Sequence, residues 1–246
     1  MPILFEDDDI IVLDKPAGVV VNRAASVSGT TVQDWVESYV HTLTAIPPGR
    51  YSPEETAEFI SRSGVVHRID KETSGILLVA KHPRAFFSLK SQFMAHAVAK
   101  EYRALVHGNV VPKDGEVSAP VGRLPWNRMR FGVFPEGRTA HTSYHAVSYF
   151  QKKDSSNDTY SLLIVAPTTG RTHQIRVHLQ YLNHPIVSDP LYVGRKRLRS
   201  DKTWCTRLFL HASRIHFRHP VTNSEMDVQS PLPEDLQTAI HSLREL

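Results

Sequence analysis

One cysteine, Cys205, stands in 246 residues, which excludes an internal disulfide and any cysteine-rich zinc site. Long apolar runs are missing too. Ile10–Leu13, Ile76–Ala80 and Leu162–Ala166 are far shorter than a bilayer-spanning helix requires. The opening MPILFEDDDIIVLDKP lacks the basic-then-apolar layout of a secretion signal. Together these absences set the expectation of a cytoplasmic protein that uses no membrane. No internal repeat and no low-complexity linker break the chain, so it reads as a single domain over residues 1–246. What is present, 41% hydrophobic and 22% charged residues, is the composition of a folded globular protein.

The net charge is only +4, but the basic residues are unevenly spread. Between Ala119 and Tyr149 stand Arg123, Arg128, Arg130 and Arg138 against Glu136, interleaved with Trp126, Phe131 and Phe134. A second group runs through Arg195, Lys196, Arg197, Arg199, Lys202 and Arg207, with Asp201 among them. Cations meet phosphates and rings meet unstacked bases, so such patches suit nucleic acid. Solvated loops would explain the charges equally well at this level.

Short β-rich runs punctuated by Pro and Gly predict strands at Ile3–Phe5, Ile10–Leu13 and Val19–Val21. Helical spacing from Val32 through Trp35, Val36, Tyr39, Val40 and Leu43 predicts a helix capped by Thr30 or Thr31. After a loop over HTLTAIPPGR, Ser52, Pro53 and Glu55 spell a capping box and a second helix. Further strands are expected at Ile76–Ala80, Glu101–Gly108, Met129–Phe134, Thr142–Phe150, Tyr160–Ala166 and Leu208–Phe217, with a loop at KKDSSNDT. Helices are expected around Phe86, Leu89, Phe93 and Ala97, over Thr172–Leu182, and through Leu236, Ile240 and Leu243. Strands outnumber helices and do not alternate regularly with them. The fold class is therefore α+β, a mixed, largely antiparallel sheet with flanking helices.

In VVHRIDKETSGILLVAKH a carboxylate, Asp70, and a Thr73-Ser74-Gly75 turn precede a buried strand. Asp and Gly are ordinary turn formers, and a loop at a strand end is also where a rigid scaffold presents a reactive group. The choice turns on three other stretches: KEYRALVHG (Lys100–Gly108), TGRTHQIRVHL (Thr169–Leu179) and LHASRIHFRHP (Leu210–Pro220). In this order, with EDDDIIVLDKPAGVVV and HPIVSDPLYVG, they resemble the RluA/RluD type of RNA pseudouridine synthase. The resemblance runs from about Leu4 to the C-terminal helix, a catalytic region with no accessory RNA-binding domain ahead of it.

That resemblance implies the pseudouridine synthase fold and an isomerase that detaches uracil from its sugar in RNA, rotates it and rejoins it through carbon. It maps the essential aspartate onto Asp70, the tyrosine that contacts the target base onto Tyr102, and the basic residue paired with the aspartate onto Arg176. Arg68 would help hold the nucleotide flipped out. Arg171 is the competitor of Arg176, and His67 and His173 join it on the substrate side. His67, His173 and His178 are read as structural or RNA-contacting, because a five-residue spacing between the last two misses a shared helix face. No metal and no organic cofactor is expected.

The chemistry agrees with these roles. Remaking a glycosidic bond at another ring atom needs an ionised carboxylate held near sugar and base. A guanidinium beside it keeps its pKa low, and the planar fork of Arg meets both oxygens. The uridine must be splayed out to be reached. The chain departs from the family pattern at Ile69, Asn22 and Ser188, none of which carries the chemistry. A non-catalytic RNA-binding relative would lack Asp70, Tyr102 or Arg176, and all three are present. A glycoside hydrolase would want a second carboxylate, for which Glu72 and Glu101 are the nearest residues in sequence. The expected partner is RNA, with large-subunit ribosomal RNA favoured over transfer RNA, and the expected state is a monomer.

Overall fold

The structure, a computed structural model, describes residues 1–25, 27–40, 51–153 and 158–246, leaving aside the side chains of residues 128 and 129. The expected loop at residues 41–50, Leu43 and the tip of KKDSSNDT lie outside the described residues. The chain divides into two compact units, Met1–Ala99 with Arg214–Ser230, and Lys100–Ser213 with Pro231–Leu246.

In the first unit, β1 (Ile3–Glu6), β2 (Ile10–Lys15) and β3 (Ser74–Ala80) pair antiparallel, with Ile10 opposite Ala80 and Lys15 opposite Gly75. All seven residues of β3 are buried, as its continuous apolar run predicts. Helix α1 (Val32–Tyr39) begins at Thr31, whose hydroxyl accepts from Asp34 N–H while the Asp34 carboxylate accepts from Thr31 N–H. Helix α2 (Pro53–Arg62) has the same reciprocal cap between Ser52 and Glu55. Helix α3 (Pro83–Met94) packs beside α2, with Phe59 and Phe86 edge to face at 5.6 Å. Ala97 falls outside α3, because His96 turns the chain at φ 56°. The C-terminal half of β10 (Leu210–Arg218) pairs with β11 (Glu225–Gln229) through Arg214–Gln229 to Arg218–Glu225.

Val19–Val21 is not a strand. The carbonyl of Val19 accepts from the Lys15 ammonium, and those of Val20 and Val21 accept from Val32 and Gln33 N–H. These groups start α1 instead of joining a ladder.

In the second unit, β4 (Ala99–His107), β9 (Thr159–Pro167), β8 (His141–Lys152) and β12 (Leu243–Glu245) pair in that order, and β5 (Asp114–Ser118) also pairs with β8. These ladders are antiparallel. Their buried residues, among them Leu105, Leu163 and Val165, form a core with Phe209, with Leu179 of α4 (Gln174–Tyr181) and with Leu236 of α6 (Glu234–His241). A separate ribbon of β6 (Val121–Leu124) and β7 (Asn127–Val133) packs through Val121, Phe131 and Val133 against Val177 and Tyr192. Helix α5 (Arg195–Asp201) follows. The class is α+β, as the pattern of elements indicates. Among the described residues, no helix is long and apolar enough to cross a membrane.

Candidate functional site

The expected residues fall in both units. Asp70, Arg68 and His67 belong to the first, Tyr102, Arg171, His173 and Arg176 to the second. Asp70 lies half-buried on the loop entering β3, and Arg68 is exposed while Ile69 between them is buried. That alternation fixes the loop by its apolar residue and leaves Arg68 in solvent.

The loop is braced along its length. His67 Nε2 accepts from Leu78 N–H at 2.9 Å, and its ring stacks on Phe93 at 4.7 Å. These contacts brace the loop, the structural side of the reading that the sequence left open for His67. Asp70 C=O accepts from Thr73 N–H at 3.2 Å, closing the turn. Gly75, at the start of β3, has φ 108°, where a side chain would be strained. The Lys71 carbonyl accepts from Gly18 N–H at 2.8 Å and from Lys15 Nζ at 3.2 Å.

Lys15 is fully buried, and its ammonium also donates to Pro16 C=O at 2.8 Å and Val19 C=O at 3.0 Å. Three carbonyls match its three protons. The signal for Lys15 is in the sequence, a lysine closing the strand IIVLDK before Pro16, but the stretch reads first as a turn. Thr73 Oγ1 is buried with no hydrogen-bond partner among the described residues.

In the second unit, Tyr102 is half-buried on β4 opposite Val165 and packs against the core. Lys100, two residues earlier on the same face, has an ammonium pulled below the usual lysine pKa by burial. Arg176 is sunk in α4 at 3% exposure and makes a two-point ion pair with fully buried Asp189, Nε–Oδ2 2.8 Å and Nη2–Oδ1 2.8 Å. Asp189 Oδ1 also accepts from Leu191 N–H at 2.9 Å and Tyr192 N–H at 3.2 Å. The guanidinium lies over the Tyr192 ring at 5.1 Å. A fork held on one edge by a carboxylate and on one face by a ring is fixed in direction before any ligand arrives.

Asp189 sits in HPIVSDPLYVG, yet its tie to Arg176 joins separate elements and has no periodic signature. His173, at φ 57° ahead of α4, sets Nδ1 2.9 Å from Tyr192 Oη. Arg171 donates Nε–H to Thr139 C=O at 3.0 Å, and burial together with Arg138 draws its pKa below the ordinary guanidinium value.

Gln174 and His178 organise this turn. Gln174 Oε1 accepts from Thr169 Oγ1–H and Arg171 N–H, and its Nε2 donates to His141 C=O and Thr142 Oγ1. His178 Nε2 lies 2.9 Å from Ala119 C=O, an oxygen that can only accept. Nε2 therefore carries the proton, and Nδ1 accepts from Thr142 Oγ1–H at 2.9 Å. His178 is a neutral structural histidine, whose pKa burial pushes down.

Among the described residues, Asp7, Asp9 and His219 bring three metal-capable atoms together. His219 Nδ1 accepts from Val221 N–H at 3.3 Å and Thr222 N–H at 3.1 Å, so Nε2 carries the proton and donates to Asp7 Oδ2 at 2.8 Å. Burial would raise the Asp7 pKa, but Ile10 and Asp9 N–H groups and His219 outweigh it and hold the carboxyl below its usual value. The cluster is satisfied as a turn-locking network, and a nitrogen that donates does not ligate.

The profile of the RNA pseudouridylate synthase family matches residues 9–181. An uncharacterized RNA pseudouridine synthase of Bacillus subtilis is 35% identical over 99% of this chain and 73% of its own. A ribosomal large subunit pseudouridine synthase D of Xanthomonas campestris is 37% identical over 99% of this chain and 69% of its own. Among solved structures, human RNA pseudouridylate synthase domain containing 1 is similar in fold, with TM-score 0.72 and 24% identity over 99% of this chain and 88% of that one.

Proposed function

Because the chain belongs to the RNA pseudouridylate synthase family, we propose that its substrate is large-subunit ribosomal RNA and that Asp70 is the catalytic carboxylate. As a member it is an RNA pseudouridine synthase, an isomerase acting on uridine in RNA. The ribosomal reading is carried by the 37% identity, over nearly the whole chain, to a relative named for the large ribosomal subunit.

In this reading Asp70 attacks or assists at the target nucleotide, and the base detaches and rejoins through carbon without any net gain or loss of atoms. Tyr102 stacks on the extruded uracil, and Arg176 serves as the basic residue of the reaction. Arg68 helps hold the target nucleotide flipped out, Arg171 and His173 contact the substrate RNA, and His67 supports the loop. The support is physical. The Asp70 loop is braced by Lys15 and His67, and Arg176 is preset by Asp189. A preorganised charge needs no reordering at the moment of reaction. The chain is read as one catalytic domain over residues 1–246, a reading supported by the family match over residues 9–181. The enzyme works as a cytoplasmic monomer, without metal or organic cofactor.

Protein-free 23S-type RNA and bulk transfer RNA, offered separately at matched salt and mapped for pseudouridine, test this reading. Site-specific product is expected in the ribosomal RNA, and Asp70→Asn, which keeps the shape and removes the charge, is expected to bind RNA and make none. Product confined to transfer RNA would overturn the substrate, and turnover by Asp70→Asn near the parent rate would overturn the carboxylate.

A further inference from the structure

The β6–β7 ribbon carries a feature that the isomerisation does not account for. Leu124 pairs with Asn127, so the connection is the two residues Pro125 and Trp126. Trp126 is 75% exposed. An indole that is left in water at a ribbon tip is an apolar surface without an occupant. Its ring is not adrift, for it meets Phe134 edge to face at 6.4 Å.

The base of the ribbon is anchored. Val121 and Arg138 exchange backbone hydrogen bonds at 2.9 and 3.0 Å, Phe134 N–H donates to Pro120 C=O, and Phe131 N–H donates to Tyr192 Oη at 3.1 Å. Leu124 packs so tightly over Gly132 that a Cβ there would lie 2.8 Å from it.

The ribbon's charge is one-signed. Arg123 is exposed and lies over the Phe131 ring at 5.2 Å, and Arg130 lies over the Tyr192 ring at 5.3 Å with Nε unpartnered among the described residues. Arg138 is exposed at the base, against Glu136. A ribbon that carries guanidiniums along its length and an open indole at its tip complements a polyanion that offers aromatic faces. Single-stranded nucleic acid is that polymer.

We propose that Trp126 is a base-stacking platform, on which an unpaired nucleotide of the RNA substrate stacks while Arg123 and Arg130 engage its phosphates. The proposal rests on the reading of the chain as an RNA-modifying enzyme and adds a specific docking contact to it. Stacking and phosphate binding leave different signatures. Stacking contributes affinity without releasing counterions, whereas every cation withdrawn from a phosphate makes the salt dependence shallower.

The test uses the full chain and a stem–loop RNA with unpaired uridines in its loop. Trp126→Ala is expected to weaken binding by roughly tenfold or more, to raise KM with little change in kcat, and to leave the salt slope as in the parent. Trp126→Phe keeps a ring and is expected to recover most of the affinity. Arg123→Gln is expected to flatten the salt slope. RNA is also expected to quench the parent's tryptophan fluorescence and to quench Trp126→Phe much less, since Trp35 and Trp204 remain.

Unchanged affinity and quenching in a Trp126 variant whose parent forms pseudouridine would overturn the platform and leave the enzyme reading standing. A parent that forms no pseudouridine in any RNA would instead overturn the enzyme reading. Concentration-dependent dimers without RNA that Trp126→Ala abolishes would assign the indole to a second copy of the chain and overturn the proposal.

Discussion

A guanidinium sunk to 3% exposure needs its charge answered nearby, and for Arg176 Asp189 supplies a fully buried answer at 2.8 Å on each fork. Removing one member of such a pair leaves the other uncompensated, which costs about 3–5 kcal/mol. Asp189→Asn is therefore expected to lower the denaturation midpoint markedly and to cut turnover, because the amide neither neutralises the fork nor holds its direction. Arg176→Met with Asp189→Leu replaces the pair by apolar side chains of similar bulk, and exchanges of that kind recover stability in other proteins. The double variant is expected to be more stable than Asp189→Asn, to stay below the parent because Leu191 and Tyr192 N–H lose their acceptor, and to be inactive. Full activity in it would remove Arg176 from the reaction.

Helix α5 shows how much an element can carry and still escape a reading of pattern. RKRLRSD has a single apolar residue, so no hydrophobic period marks it. Its order comes from Asp201, buried at its end, whose carboxylate accepts from Ser188 N–H and pairs with His107 Nε2, both at 3.0 Å. β5, β11 and β12 escape for a related reason, being short and polar and gaining their order from a neighbour's ladder. By contrast, α1 and α2 are legible because each carries its own start signal, Thr31 and Ser52. β3 is legible because its apolar run is continuous. Of the candidate site, the motif residues can be named from sequence. Asp189 cannot, since its partner Arg176 arrives from a separate element, and Lys15 is hidden because the stretch around it reads first as a turn. The fixed position of α5 has a consequence. Arg195, Lys196, Arg197 and Arg199 are all exposed on it, so replacing any two by Gln is expected to flatten the salt dependence of RNA binding. The log–log slope should fall by about 0.7–0.9 for each phosphate no longer neutralised. The thermal midpoint should hardly move. An unchanged slope would mean that α5 faces away from the RNA.

Over the whole molecule the net charge is +4 with histidines neutral, and 14 histidines can add to it as pH falls. What acid does to stability depends on which of them accept a proton more readily when unfolded. His178 is one whose direction is set. Its Nδ1 receives Thr142 Oγ1–H, its Nε2–H is given to Ala119 C=O, and burial holds its pKa below the ordinary 6.5. The unfolded chain takes a proton there near 6.5, where the folded chain still refuses it. In that window the unfolded state binds more protons, so stability falls as pH drops below about 6.5, until the folded pKa is reached. The limiting slope for one site is about 1.4 kcal/mol per pH unit. His178→Gln keeps an acceptor and a donor but cannot titrate. It is expected to be less stable than the parent near neutral pH, because the amide fits two fixed partners less well, yet to lose less stability on acidification. Denaturant unfolding of parent and variant at about pH 8 and about pH 5.5 measures the difference. Equal losses in the two proteins would show that the folded chain protonates His178 as readily as the unfolded one. The hydrogen-bond directions assigned to Thr142 and Ala119 would then be wrong.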